Sequence, residues 1–202
     1  MFKRIFSTYT AAILVVLSVA ALSFAQTSPK SFPQVTIENF GQMDEHFYRG
    51  AQPTREEFQE LKDLGIKTVI DLRGDATDYE KPAVEALGMK YVNLPMSGLG
   101  YPKAEYIDAF LKLANDPETG SFYVHCKGGV HRTGVAGAAY RFTKYGWNYD
   151  QVYQEMLNYR FSTSGFHGKF KTFVEDYSNK MIASRAQGAS TQNTIQPIQK
   201  QD

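Results

Sequence analysis

The sequence predicts an α/β domain: a mostly parallel central sheet flanked by helices, followed by an all-helical C-terminal third. Three observations carry this. Short β-branched and aromatic runs alternate with amphipathic helical patterns between residues 54 and 125. Glycines close two of the helical patterns, at Gly65 and Gly88. Beyond residue 131 only helical periodicity remains.

Taken in order, Thr54-Arg55-Glu56-Glu57 is a capping box, and Phe58, Leu61 and Leu64 follow at helical spacing until Gly65 ends the helix. Lys67 to Leu72 reads as a short strand, about Tyr79 to Leu87 as a helix stopped by Gly88, and Met89 to Leu94 as a second strand. A helix near Lys103 to Ala114 and a strand from Ser121 to His125 continue the alternation. A glycine-bearing loop then leads into a helix from about Arg132 to Tyr145, with further helical patterns near Tyr149 to Tyr159 and Phe166 to Ile182. In such sheets ligands bind beyond the carboxyl ends of the strands, so the loop after His125 is where chemistry is expected.

The chain ends have a different character. Lys3 and Arg4, an apolar stretch from Ala11 to Leu22, and Ser23-Phe24-Ala25 form the three-part pattern of an export signal over residues 1–25. A stretch of twelve residues falls short of the roughly 20 needed to cross a bilayer. Export to the periplasm or medium is therefore expected, with no stable membrane insertion after cleavage; an uncleaved anchor extended by Ile5 and Phe6 is the alternative. Residues 26–39 read as a linker, 40–183 as the catalytic domain and 184–202 as a polar, disordered tail.

The chain holds 22 Lys+Arg against 21 Asp+Glu, without a long basic run, so nucleic acid is not an expected partner. One cysteine excludes an internal disulfide, leaving its thiol either inert in the core or reactive.

That cysteine lies in His125-Cys126-Lys127-Gly128-Gly129-Val130-His131-Arg132-Thr133-Gly134, between a strand end and a helix start. Backbone N–H groups that curl inward onto a helix N-terminus make an anion site, and glycines permit the tight turns. Residues Lys127, Gly128, Gly129, Val130, His131 and Arg132 would hold a phosphate dianion. At the centre, Cys126 would feel the helix dipole and the Arg132 charge, both favouring the thiolate, the form that attacks phosphorus. Arg132 can grip two oxygens at once, Thr133 can assist the thiolate as it leaves, and His125 fixes the loop.

With Cys-x5-Arg followed by Thr, the chain resembles the cysteine-based protein tyrosine and dual-specificity phosphatases. Phe47 to Pro53, Gly65 to Gly74 and Leu94 to Ser97 look like a bacterial set related to the atypical plant and fungal dual-specificity phosphatases. The resemblance implies a (phosphotyrosine protein phosphatase)-like fold and a covalent cysteinyl-phosphate mechanism without metal or cofactor. The implied substrate is a phosphorylated protein or small phosphate ester. Lys127 and His131 also point to inositol phosphates or phosphoinositides, and a non-catalytic phospho-ligand module is a further reading. Rhodanese-like sulfurtransferases also carry a loop cysteine, but five intervening residues before an Arg favour phosphate.

The departure concerns the acid. Many relatives carry an Asp about thirty residues before the Cys, whereas Pro95 to Pro102 here has no carboxylate. Other relatives place an Asp just before the Arg, where this chain has His131, whose ordinary pKa of about 6.5 suits proton donation. Asp75, Asp78 and Asp108 are the alternative acids, and Tyr101 is a candidate cleft residue. His46 and His167 are isolated in sequence, and no cluster at ligand spacing predicts a metal site.

Overall fold

A computed structural model describes residues 31–194, with side chains to residue 188. The signal-like segment 1–25 and the last eight residues of the tail lie outside the described residues.

Five strands form one sheet in the order β1 (Gly41–Gln42), β2 (Phe47–Gly50), β5 (Phe122–His125), β3 (Thr68–Arg73), β4 (Lys90–Met96). Only β1 with β2 is antiparallel, so the expected mostly parallel sheet is present. Six helices accompany it: α1 (Glu57–Asp63), α2 (Glu80–Ala86), α3 (Ala104–Ala114), α4 (His131–Tyr140), α5 (Tyr149–Asn158) and α6 (Gly168–Thr194).

Each central strand is buried on both faces, and its side chains part alternately. Val69 and Tyr123 join Phe58 and Leu61 of α1 and Val84 of α2 on one side. Ile70 and Val124 join Phe110 of α3 and Tyr140 of α4 on the other, beyond which α5 and α6 extend the packing. The register sets Gly50 of β2 and Asp71 of β3 on either side of His125, so three strand ends meet where the cysteine loop begins.

The capping box forms as expected: Glu57 N–H donates to Thr54 Oγ1 at 3.3 Å, and Thr54 N–H to the Glu57 carboxylate at 2.7 Å. The helix expected over 132–145 is α-helical only to Tyr140, continues as a π-turn over Arg141–Tyr145 and stops at Gly146, whose φ is +67°.

Two boundaries differ from the sequence reading. Residues 31–39 are not a loose linker: Ile37 inserts beside Tyr48 and Phe58, Thr36 N–H donates to Glu60 at 2.8 Å, and Glu38 C=O accepts from Ala51 N–H at 2.9 Å. The tail does not begin at residue 184, because α6 runs on to Thr194. Arg185 anchors that extension by donating to the carbonyls of Phe142 and Gly146, which the π-turn leaves without helical partners. Among the described residues no helix is long and apolar enough to cross a membrane.

Candidate active site

The loop from Cys126 to Val130 leaves β5 and enters α4, whose first residue is His131. Its sequence dictates the turn: Gly129 sits at φ +65°, and a Cβ there would lie 2.3 Å from the Gly50 backbone, so only glycine fits between loop and β2. Cys126 is 4% exposed at the base of a cleft of about 410 Å³. Burial pushes its thiol up, but the Thr133 hydroxyl, the Thr133 N–H, the Arg132 charge and the Val130 N–H outweigh it and bring the pKa below its ordinary value. Thr133 is wholly buried, and its hydroxyl has no partner besides that sulfur.

The expected site residues come together with one refinement. Lys127, Gly128, Val130, His131 and Arg132 line the cleft with Cys126, whereas Gly129 turns its backbone inward toward the scaffold. Its carbonyl accepts from Arg49 Nη2 at 2.7 Å and from Asn39 Nδ2 at 3.1 Å, and Asn39 also reaches the Gly128 carbonyl at 3.3 Å. Carbonyls drawn backward leave the loop N–H groups facing forward, toward an anion. Arg132 stands at the mouth, within 3.4 Å of the Met96 carbonyl and against Gly98.

Arg49 is a functional residue that sequence reasoning missed. It is 1% exposed, with Tyr159 stacked 3.9 Å from its guanidinium, and besides holding Gly129 it is electrostatically coupled to Cys126. Burial lowers its proton affinity, but a guanidinium keeps its proton inside a protein. A second cation therefore backs the thiolate. An Arg inside an otherwise apolar strand is the signal that could have found it, since such a charge is not buried without partners.

His125 sits in a buried cluster at the start of the loop. Its Nε2 lies 3.1 Å from Glu80 and its Nδ1 3.8 Å from Asp71, with all three side chains fully enclosed. The second Glu80 oxygen accepts from Gln52 and Thr77, each at 2.7 Å, and from Arg73 at 3.4 Å, while Gln52 N–H donates to the Lys127 carbonyl at 3.2 Å. Burial pushes Asp71 up; Glu80 lies below its ordinary value because its bond and charge pairing with His125, its bond from Thr77 and the Arg73 charge outweigh its burial. The expectation of no cluster at ligand spacing is corrected: Asp71, Glu80 and His125 offer atoms within 4.8 Å of one another that could hold a metal ion. They come from β3, α2 and β5, so linear spacing could not show them, and Arg73 already balances part of their charge.

His131, the expected acid, opens α4. Its ring lines the cleft, but Nε2 lies 3.1 Å from the Ser162 carbonyl, so that nitrogen carries the hydrogen. Burial first, then His167 and Arg132, hold its pKa below the ordinary value. His167, isolated in sequence, stacks on His131 with centroids 3.5 Å apart and planes 6° apart and lines the same cleft. The alternative acids do not line the cleft, although Asp75 feels the Arg132 charge. Asp75 is tied to Arg73 at 3.2 Å, which holds its carboxyl down, and Asp78 and Asp108 are exposed and do not line the cleft. Tyr101 donates to Asp176 of α6 at 2.8 Å instead of entering the cleft.

A family model described as DSP-PTPase phosphatase fused to NAD+ kinase matches residues 30–176. Chloroplastic NAD kinase 2 of Arabidopsis thaliana is 34% identical over 93 residues, covering 43% of this chain and 9% of that protein. The dual specificity protein phosphatase TpbA of Pseudomonas aeruginosa is 28% identical over 118 residues, covering 58% of this chain and 53% of the relative. The chain thus spans about half of TpbA and a small part of the kinase. In structure, the catalytic core of the PP-IP phosphatase SIW14 from S. cerevisiae superimposes with a TM-score of 0.64 at 22% identity, covering 76% of this chain and 94% of that core. A P. aeruginosa TpbA variant in complex with phosphotyrosine gives 0.62 at 20% identity, covering 79% of this chain and 99% of the other. These likenesses establish the fold, and with the family match over residues 30–176 the chain belongs to the cysteine-based dual-specificity phosphatase family described as DSP-PTPase phosphatase fused to NAD+ kinase.

Proposed function

We propose that the chain hydrolyses phosphate monoesters through a cysteinyl-phosphate intermediate. The observation that carries this reading is the placement of Cys126 at the base of the cleft, with the Thr133 hydroxyl, the Val130 and Thr133 N–H groups and the Arg132 charge around its sulfur. The thiolate attacks phosphorus, forming S–P as the ester O–P bond breaks, while Arg132 and the α4 N-terminus neutralise the phosphoryl oxygens. Water then cleaves the S–P bond, and the Thr133 hydroxyl stabilises the returning thiolate. Since the thiolate is the nucleophile and these donors supply the positive charge, the reaction needs no metal.

Phosphotyrosine-type aryl esters are the favoured substrates, in keeping with the TpbA complex that contains phosphotyrosine. A second reading, an inositol phosphate or phosphoinositide, draws on the cationic lining of Lys127, His131, Arg132 and His167, and on the likeness to a PP-IP phosphatase core. Full-length protein is expected to hydrolyse an aryl phosphate in excess EDTA, with vanadate inhibition. Cys126→Ser should abolish turnover while still binding vanadate; full activity in that variant ends the nucleophile assignment, and binding without turnover in the wild type favours a phospho-ligand module.

We further propose that the protein is exported, on the Lys3-Arg4, Ala11–Leu22 and Ala25 pattern. N-terminal sequencing of the periplasmic and secreted fractions should read from Gln26. An uncut chain in the membrane fraction indicates the N-terminal anchor instead.

A further inference from the structure

The two most exposed large apolar side chains among the described residues both stand beside the cleft. Leu99, next to Gly98 of the cleft wall, is 63% exposed, and Phe166, next to His167 of the cleft wall, is 79% exposed. A single uncovered apolar residue needs no explanation, but here both flank the place a substrate must enter.

Neither is loose. The Ser97 hydroxyl donates to the Leu99 carbonyl at 2.7 Å and accepts from the Leu99 N–H at 3.2 Å. Phe166 rides on the short turn Gly165–His167, which His167 pins: its ring stacks on His131 with centroids 3.5 Å apart, and its Nδ1 lies 3.1 Å from the Ser164 carbonyl. A phenyl ring on a fixed turn offers contact area at a small ordering cost.

Phe166 is also one wall of a second hollow of about 410 Å³, completed by Gly165, Gly168, Lys169 and Thr172. A Cβ at Gly165 or Gly168 would meet no atom within 4 Å, so the floor is open. No acidic group lines this hollow, and Lys169 can lay its methylene stem along an apolar occupant while its ammonium stays in water. His167 lies between Phe166 and Gly168 in the chain and lines the cleft, so the hollow adjoins the cleft.

The two depressions together describe an occupant. Cys126 at the base of the cleft calls for a phosphate carried on a projecting group, and the hollow calls for an apolar group a short distance away. An inositol phosphate, charged all round, gains nothing from a phenyl wall. A bilayer packs on protruding side chains and leaves a hollow unfilled. A polypeptide supplies both parts, one side chain for each depression.

We propose that the substrate is a phosphotyrosine-bearing polypeptide segment, and that Phe166 and the hollow at Gly168 form the subsite for a hydrophobic side chain next to the phosphorylated residue. The inference rests on the phosphomonoesterase reading and specifies its substrate. Phe166 is then a specificity-determining residue, while the chemistry at Cys126 is common to every ester that reaches it.

The test uses full-length protein and phosphotyrosyl peptides that carry Leu or Ser on either side of the phosphotyrosine. Wild type should show kcat/KM about 10-fold higher with Leu at one of the two flanks, the gain expected from burying most of a leucine side chain. Phe166→Ser removes the wall, and Gly168→Leu fills the hollow from a backbone that is already helical there. Each should bring the Leu-to-Ser ratio toward one, with aryl phosphate turnover reporting that the variant is folded. A wild type without the Leu preference, or a preference that survives both substitutions, overturns the subsite. Faster turnover of a phosphoinositide in anionic vesicles than of any peptide, lost in Phe166→Ser, overturns it in favour of a membrane contact. Absence of Cys126-dependent turnover of every ester overturns the phosphatase reading itself, which keeps the failures distinct.

Discussion

Residues 126–133 draw what they offer a phosphate from one strand end, one turn and one helix start, whereas the groups that hold this loop come from far apart: Asn39, Arg49, Gln52 and Glu80. The loop is half-exposed and its polar groups face the cleft. Arg49 and Glu80 are almost wholly enclosed and do not line the cleft. Donors can be aimed forward at an anion only if the same peptide units are held from behind, so reactivity at Cys126 depends on buried residues that touch no substrate. The two regions should thus fail differently when altered: the loop in turnover alone, the scaffold in stability and in the pH at which the thiol ionises.

The largest effect among scaffold changes is expected for Arg49→Met. It leaves the buried Gly129 carbonyl with only Asn39 and removes a cation coupled to the thiolate. A stability loss of about 1–3 kcal/mol follows from the lost buried donor. The thiol pKa should rise, so the acid limb of kcat/KM moves to higher pH, and activity at pH 5 falls by a larger factor than at pH 8. Urea melts and a pH–rate profile read the two consequences separately. An unmoved limb with lowered stability would make Arg49 a strut without electrostatic reach.

The same contrast explains what could be read without a structure. A contiguous stretch announces itself, so Cys126, Arg132 and Thr133 were legible, as were α1 to α5 and the strands β3, β4 and β5, whose periodicities are strong. The strand β2 was not: Phe47–Gly50 is four residues, buried throughout, with an arginine where a core strand should be apolar. Its residues stood out as a motif shared with a family, not as a strand. Residues 31–39 carry Ser, Pro and Thr, which read as linker, and only folding shows that Ile37 fills the core and Asn39 holds the loop. His167 looked isolated because its partner His131 lies two helices earlier in the chain, at the start of α4. The acidic cluster around His125 was hidden likewise, each member sitting on a different element.

Glu80→Gln should have a smaller effect and sharpen the comparison through its pH dependence. The carboxylate satisfies His125, Gln52, Thr77 and Arg73 at once, and its pKa is depressed in the fold, against burial, by its pairing with His125, the Thr77 bond and the Arg73 charge. A depressed carboxyl stabilises the fold at pH values above the unfolded pKa of about 4.3, and that contribution fades as pH falls through the lower folded value. Wild type should therefore exceed Glu80→Gln in stability by about 0.5–1.5 kcal/mol at pH 7, with the gap narrowing below about pH 4. Asp71 works in the opposite sense, since its raised pKa costs stability near neutrality, and losing the Glu80 charge relieves part of that cost. The measured gap at pH 7 is thus the difference of the two. In turnover, Glu80→Gln should cost less than about 10²-fold, through slight displacement of Cys126 and not loss of any group that meets phosphate. A gap that stays constant from pH 7 to pH 3.5 would mean that Glu80 holds the loop by shape and hydrogen bonding alone, and that Arg49 is the scaffold's single electrostatic link to the thiolate.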